Sequence, residues 1–439
     1  MVQLSVIGLG RLGLCAAACF ASRGIPVVGV DVNPSTVEAV NRGVAPFYEP
    51  RLPEVLRAAG DRLQATADYG LALERSDVTL LIVPTPSGPD GEFSDAHLQD
   101  ALTPLARALR ASSKSSHLFV ITSTVSPGTV EGRLIPLIAS VSGRSLHEGF
   151  EVCYNPEFIA LGTVISDFLR PDLVLIGQSS EAAGDRLEQL YRTVCEHTPR
   201  VARMSIVSAE ITKIALNSFV TTKITFANTL ASICEAIPGA DIDAITDALG
   251  ADRRISPYYL RGGLPFGGPC FPRDNRAFAV FAARHGVDAR LAKATEAANL
   301  ERIGDIARLV LRHLPEADRR VAVLGLSFKA GTPVLDESPG ILLVDALLAE
   351  GDVEVTVYDP LAVAGMRALL GDRVRYAASA RACMDGAALC VFTTAAPEFR
   401  EVDETYLTRT PTTVVDCWRV LDPARFGPKV RYVALGRAG

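Results

Sequence analysis

Residues 2–31 place the tightest constraint on the fold. Val2 to Ile7 is an apolar run of strand length that leads straight into Gly8-Leu9-Gly10-Arg11-Leu12-Gly13. A helix-like stretch from Leu14 to Arg23 is closed by Gly24, and Val27-Val28-Gly29-Val30 then ends at Asp31. Glycines in G-x-G-x-x-G spacing between a strand and a helix have distinct tasks: a tight turn, close approach of a pyrophosphate, and close helix–strand packing. A carboxylate ending the second strand suits ribose hydroxyls and repels a 2′-phosphate, which predicts NAD over NADP. Gly8, Gly10, Leu12, Gly13 and Asp31 are the expected cofactor contacts. An isolated motif of this kind would be weaker, with a structural turn as the alternative.

Further βα units follow. Asp77 to Val83 ends in Pro84-Thr85-Pro86, and His117 to Ile121 ends in Thr122-Ser123-Thr124-Val125-Ser126-Pro127-Gly128-Thr129. Ligands of an open parallel sheet bind outside the carboxyl ends of its strands, so Thr85 and Thr124 are expected to border the cofactor. Ordinary helix-cap threonines are the simpler alternative. Val152 to Phe158 and Asp172 to Gly177 read as the last strands of this domain. Glu157 lies between a proline and an apolar run, where desolvation would raise its pKa as a general base requires. A loop-surface glutamate is the alternative.

From about Met204 to Ile237 the chain has no interior Gly or Pro, which predicts a helix of about 50 Å. It reads as a spine joining two domains and as a dimer surface. Glu210, Lys213 and Asn217 share one narrow arc of it, at i, i+3 and i+7. A solvated polar stripe is the favoured reading of that arc; an inward face over an active site is the other. A short helix is expected over Asp241 to Leu249, a helical tract up to about Leu314, and a linker at Pro315 to Asp318.

At Arg319 the opening pattern recurs. A strand runs into Gly325-Leu326-Ser327-Phe328-Lys329-Ala330-Gly331, a helix from Gly340 to Glu350 is closed by Gly351, and a strand from Val353 to Tyr358 ends at Asp359. Strands at Ala388 to Thr393 and Thr413 to Asp416 extend this second sheet. The expected architecture is α/β: two Rossmann-like nucleotide-binding domains joined by a long central helix. The boundaries are 1–200, 201–314 and 315–439.

Composition narrows the function. The 439 residues are 48% hydrophobic and 21% charged, with a formal net charge of −6, which describes a well-buried globular chain without a basic stripe for nucleic acid. No apolar run reaches the length of a membrane span, and residues 2–7 lack a leader pattern. Nine cysteines without paired spacing suit a reducing cytoplasm, and six histidines without ligand spacing give no metal site.

One cysteine stands apart, in Gly267-Gly268-Pro269-Cys270-Phe271-Pro272-Arg273-Asp274. The glycines let backbone approach a ligand, and the prolines hold the thiol on a stiff loop rather than inside a helix. Arg273 favours the thiolate, the nucleophilic species, and Asp274 is placed to position water or accept a proton. A buried structural cysteine in a tight turn fits the loop equally well.

With these pieces in order, the chain resembles the UDP-glucose/GDP-mannose dehydrogenase family over nearly its whole length. The resemblance rests on Gly8–Gly13, Val83–Pro86, Ser123–Thr129, Asn155–Phe158, Glu210–Asn217, Gly267–Asp274 and Gly325–Thr332. It implies a cytoplasmic homodimer, paired through the central helix, that oxidises a nucleotide-sugar C6 alcohol to the carboxylate with two NAD. UDP-glucose is the expected substrate and a UDP-N-acetylhexosamine or GDP-mannose the alternative; the last domain would bind the UDP-sugar. By resemblance, Cys270 traps the C6 aldehyde as a thiohemiacetal that becomes a thioester. Lys213 stabilises oxyanions, Asn217 and Thr124 hold the substrate oxygen or its water, Asp274 acts as base or orients water, and Glu157 assists thioester hydrolysis. Thr85, Thr124 and Arg273 join the cofactor contacts. Phe158, Arg254, Tyr259, Leu260, Gly263, Gly267, Phe271 and Lys329 join Glu157, Lys213 and Asn217 as substrate contacts. The chain departs from the family pattern at Thr36, Leu161, Leu173, Pro333, Val334 and Asp336. A two-electron dehydrogenase with a structural Cys270, and a nucleotide-binding regulator without turnover, are the rival functions.

Overall fold

The computed structural model describes residues 2–88, 90–350, 352–409 and 411–438. The chain divides into two compact units, Met1–Ala215 and Leu216–Gly439.

The first unit is built on eight strands: β1 Leu4–Ile7, β2 Val27–Val30, β3 Leu63–Thr66, β4 Val78–Leu81, β5 Leu118–Ile121, β6 Glu151–Tyr154, β7 Leu173–Gln178 and β8 Arg200–Met204. Their order is β3-β2-β1-β4-β5-β6-β7-β8, and β6–β7 is the antiparallel pair in an otherwise parallel sheet. Ile7 pairs with Val30 and with Leu81, so the carboxyl ends of β1, β2 and β4 finish level. Side chains alternate between the faces. Val6, Leu80 and Val120 enter one apolar cluster, while Ile7, Leu81 and Ile121 enter another. Both faces are therefore covered, which explains near-continuous apolar strands instead of an apolar–polar alternation. The sheet extends one strand past the expected end, because β8 (Arg-Val-Ala-Arg-Met) is a half-exposed edge without an apolar run.

The G-x-G-x-x-G turn has little freedom. Gly8 lies at φ 91°, and a Cβ there would sit 2.3 Å from the Ile82 carbonyl oxygen. A Cβ on Gly13, in the helix Arg11–Ser22, would lie 1.9 Å from the Gly8 carbonyl oxygen. Around Gly10 the same atom would meet nothing within 4 Å, leaving the helix N-terminus open to a ligand.

The second unit repeats the plan with β9 Arg320–Leu324, β10 Glu354–Tyr358, β11 Arg375–Tyr376, β12 Leu389–Phe392, β13 Thr412–Asp416 and β14 Val430–Ala434. Its order is β11-β10-β9-β12-β13-β14, with every pair parallel. The helix after β9 spans Pro339–Glu350; Gly351, its expected stop, lies outside the described residues. The expected helical tract up to Leu314 is two helices, Phe271–Arg284 and Arg290–His313, broken near Gly286 at φ 74°.

The long helix spans Ile206–Ala236, and the boundary between the units falls inside it. Among the described residues no helix is long and apolar enough to cross a membrane.

The Gly13 contact is to main chain, which no rotamer change can relieve. Gly13→Ala is expected to lower stability by about 1–3 kcal/mol and to weaken NADH binding. Thermal melting and a fluorescence titration with NADH measure the two effects.

Candidate active site

The loops after β1 and after β9 look alike but differ in their carboxylates. Asp31 accepts from Leu9 N–H on Oδ2 and from Asn33 N–H on Oδ1, both at 2.8 Å, and stays half-buried. Asp359 is 2% exposed. Its Oδ2 accepts from Leu326 N–H, Ser327 N–H and Ser327 Oγ, and its Oδ1 from Leu361 and Ala362 N–H. Asp359 is thus spent on its own loop, whereas Asp31 keeps accepting capacity for a ribose. Gly10 is the N-cap residue of Arg11–Ser22, and Leu12 packs its side chain on the core behind the turn. These features fit a dinucleotide at the first loop and give the second loop no equivalent carboxylate.

Thr85 is buried just past β4, and Thr124 is half-buried just past β5. Ser123 Oγ accepts from Val83 N–H at 2.9 Å and donates to Val83 O at 2.7 Å, tying the two strand ends together.

Glu157 follows β6. Tyr191, from the helix Glu181–Val194, has its hydroxyl 2.5 Å from Glu157 Oε1. Burial pushes the Glu157 carboxyl up to about 7, opposed by the Tyr191 hydrogen bond and the Lys213 charge. Lys213 Nζ donates to the Glu157 carbonyl at 2.8 Å and lies 4.9 Å from the centre of the Phe158 ring. Glu157, Phe158 and Lys213 therefore form one cluster, and Glu157 is not an ordinary surface glutamate.

The arc Glu210–Lys213–Asn217 is not a solvated stripe. The three are 0%, 7% and 6% exposed. A buried polar group must find partners, and each finds them on a loop named above. Glu210 accepts from Gly128 N–H at 2.6 Å and Val130 N–H at 3.0 Å, anchoring the loop that carries Thr124. Burial pushes its carboxyl up to about 7 against those two bonds.

In the second unit Asn217 Nδ2 donates to Asp274 Oδ2 at 2.7 Å, and Arg273 Nε donates to Asp274 Oδ1 at 3.2 Å. Asp274 is fully buried. Cys270 is the N-cap residue of Phe271–Arg284, and Asp274 N–H donates back to its carbonyl at 2.8 Å. The thiol thus sits where loop becomes helix. Among the nine cysteines, all described, Cys270 alone is exposed. Burial raises the other thiols, Cys19, Cys153 and Cys390 each to about 12.

The backbone before Cys270 is clamped. Gly268 N–H donates to the Asp336 carbonyl at 3.0 Å, and a Cβ on Gly267 would fall 2.2 Å from the Glu337 carbonyl oxygen. The departure at Asp336 leaves this main-chain bond intact, and its side chain is exposed. Leu161, a departure from the family pattern, packs beside the first unit's apolar core.

Residues that sequence reasoning passed over hold the backbone at 255–266, where the resemblance places substrate contacts. Asn228 accepts from Gly263 N–H at 2.8 Å and donates to the Leu264 carbonyl at 3.1 Å. Asn299 makes the same double contact with Phe266, at 2.8 and 3.0 Å. Lys223 Nζ donates to the carbonyls of Ile255, Ser256 and Tyr258. The signal for Asn228 was present: it continues the arc of Asn217 at i+11. Tyr259, at φ 59°, meets the Phe271 ring edge-on at 5.8 Å, and Leu260 is buried. Lys329 is half-buried, 5.9 Å from the centre of the Phe328 ring. Arg254 is exposed and pairs with Asp252 at 2.6 Å.

Glutamine offers one acceptor oxygen where Glu210 offers two, so Glu210→Gln leaves one buried N–H at 128–130 unmatched. The expected loss is about 1–3 kcal/mol of stability, read from the denaturant midpoint.

Residues 2–195 match the UDP-glucose/GDP-mannose dehydrogenase family, NAD binding domain; residues 207–301 match its central domain, and 322–423 its UDP binding domain. A UDP-glucose 6-dehydrogenase of Haloferax volcanii is 37% identical over 423 residues, covering 96% of this chain and 97% of that protein. A GDP-mannose 6-dehydrogenase of Pseudomonas putida is 36% identical over 362 residues, 82% of this chain and 81% of that one. A UDP-glucose dehydrogenase structure from Pyrobaculum islandicum superposes with a TM-score of 0.89 at 36% identity, covering 100% of this chain and 98% of that one. The chain belongs to the UDP-glucose/GDP-mannose dehydrogenase family of NAD-dependent nucleotide-sugar dehydrogenases.

Proposed function

We propose that this chain oxidises the C6 alcohol of UDP-glucose to the carboxylate through Cys270, using two NAD. The observation that carries the reading is the exposure of Cys270 at the start of a helix, one turn before buried Asp274, while seven of the other thiols are buried and Cys195 is half-buried. The full-length similarity to UDP-glucose 6-dehydrogenases favours UDP-glucose over GDP-mannose, whose dehydrogenases match over a shorter span.

The residues fit the cofactor. Gly8, Gly10 and Gly13 give it close approach, Asp31 accepts from its ribose, and Leu12, Thr85, Thr124 and Arg273 complete its contacts. NAD supplies the hydride acceptor for both oxidations. The first oxidation converts the alcohol to an aldehyde with loss of a hydride and a proton. Cys270 Sγ adds to the aldehyde carbon, giving a thiohemiacetal whose C–H can leave as the second hydride. The thioester so formed is cleaved by water, which releases the acid and restores the thiol.

Lys213 offers a positive charge to the oxyanions of these steps, and its place over Phe158 and the Glu157 carbonyl limits its wandering. Asp274 orients water or takes a proton, held by Asn217 and Arg273. Thr124 and Asn217 hold the substrate oxygen or its water, and Glu157 assists the hydrolysis. Phe158, Arg254, Tyr259, Leu260, Gly263, Gly267, Phe271 and Lys329 contact the nucleotide sugar. This work divides as a cofactor domain over 1–200, a central domain over 201–314 and a sugar-nucleotide domain over 315–439. The reduced cysteines favour the cytoplasm.

Two chains pair through the central helix in this reading. Phe219, Phe226 and Ile233, seven residues apart on one helix face, are 64%, 53% and 48% exposed. Rings so placed suit a helix–helix seam. Phe226→Glu is expected to convert a dimer to a monomer in sedimentation; a dimer unchanged by it sinks this seam.

Two NADH per sugar are expected at completion, and one per sugar would sink the four-electron reading. Cys270→Ser is expected to keep NAD binding and to lose acid formation by at least about a thousandfold. A serine variant forming acid at the normal rate overturns the role of Cys270.

A further inference from the structure

The hydroxyl of Tyr191 has one proton and two oxygens waiting for it. Glu157 Oε1 lies 2.5 Å away and Asn155 Oδ1 lies 2.7 Å away. Both are acceptor positions if Glu157 is ionised, and one proton satisfies only one of them. The other would be a short contact between lone pairs in a buried site. Asn155 cannot supply the missing proton. Its Nδ2 donates to the Leu175 carbonyl at 2.9 Å, and reversing the amide would set two carbonyl oxygens against each other. Asn155 is 1% exposed, so bulk solvent does not reach it.

We propose that Glu157 rests as a neutral acid, donating its proton to Tyr191, which donates in turn to Asn155. Tyr191 is then a positioning residue that fixes the protonation state of Glu157. Desolvation favours the neutral form and pushes the carboxyl up to about 7. The opposing bond from Tyr191 to an ionised Glu157 can form only if the tyrosine proton leaves Asn155. The groups facing Glu157 are Cys19 from Arg11–Ser22, Tyr191 and Cys195 from Glu181–Val194 and its cap, and Lys213 from the long helix. Lys213 is the one cation among them, and its Nζ is bonded to the Glu157 main-chain carbonyl.

When Glu157 gives up its proton, the Tyr191 O–H turns from Asn155 Oδ1 to Glu157 Oε1, and no bond of tyrosine breaks. Ionisation therefore leaves the buried Asn155 oxygen without a donor, which holds the proton on Glu157 until pH nears neutrality. The acid form can protonate a departing group and the ionised form can draw a proton from water. This protonation state stands independently of the hydrolytic role assigned to Glu157 above.

Infrared difference spectra of the full-length protein, wild type minus Glu157→Gln, read the carboxyl directly between about pH 5 and about pH 9. The expected result is a protonated-carboxyl C=O band that fades as pH rises through about 7. Asn155→Leu removes the terminal acceptor and the penalty on ionisation, so the band should fade at least about one pH unit lower, a tenfold drop in proton affinity. Absence of the band in wild type below neutrality overturns the proposal, as does a band unmoved by Asn155→Leu. If that variant fails to fold, the wild-type spectrum decides alone. A band present in wild type alongside normal turnover by Glu157→Gln would sink the hydrolytic role and leave the protonation state standing.

Discussion

Burial of polar side chains along one helix is the constraint on which the site depends. A donor or acceptor removed from water without a partner costs on the order of 1–3 kcal/mol, so each such group dictates where its partner must lie. In the first unit the helix Ile206–Ala236 uses Glu210 to hold the amides of Gly128 and Val130, and Lys213 to hold the Glu157 carbonyl. In the second unit it uses Asn217 for Asp274, Ser218 for Asn275, Lys223 for three carbonyls of the 255–258 loop, and Asn228 for both main-chain groups at 263–264. Within each unit, loops distant in sequence thereby take their positions from the stretch of helix they share.

The two sheets show how one local plan is turned to different uses. Both place a carboxylate at the end of the second strand, beneath a glycine turn. Asp359 spends its accepting capacity on four amides and a hydroxyl, and is sealed. Asp31 accepts from two amides and stays half-buried, so a sugar can still reach it. The difference lies in what surrounds the carboxylate, not in its identity.

Exposure separates the cysteines in the same way. Seven are buried and Cys195 is half-buried, and their burial favours the thiol, while Cys270 stands at a helix start with prolines on both sides. Its loop tolerates little change, since Gly267 and Gly268 press against the backbone and ring of other loops. At Asp336, a departure from the family pattern, the contact with Gly268 is made by the main-chain carbonyl, not the side chain.

The sequence by itself determined the strand–glycine turn–helix openings of both sheets, the long helix and the cysteine loop, because each is local: apolar runs, residue conformation and uninterrupted helical composition suffice. It also pointed to Glu157 as a carboxylate with a raised pKa, since its neighbours are apolar. It did not show the edge strands β3, β8, β11 and β14 or the antiparallel β6–β7 pair. It could not say which face of the long helix is buried, and the reading of Glu210, Lys213 and Asn217 as solvated was overturned for that reason. A polar stripe looks the same whether its partners are water or amides eighty residues away. Nor could it find Asn299, Lys223 or the Tyr191–Asn155 chain, whose partners lie across other elements. Only the tertiary structure decided those, because a hydrogen bond is set by distance in space, and distance along the chain says almost nothing about it.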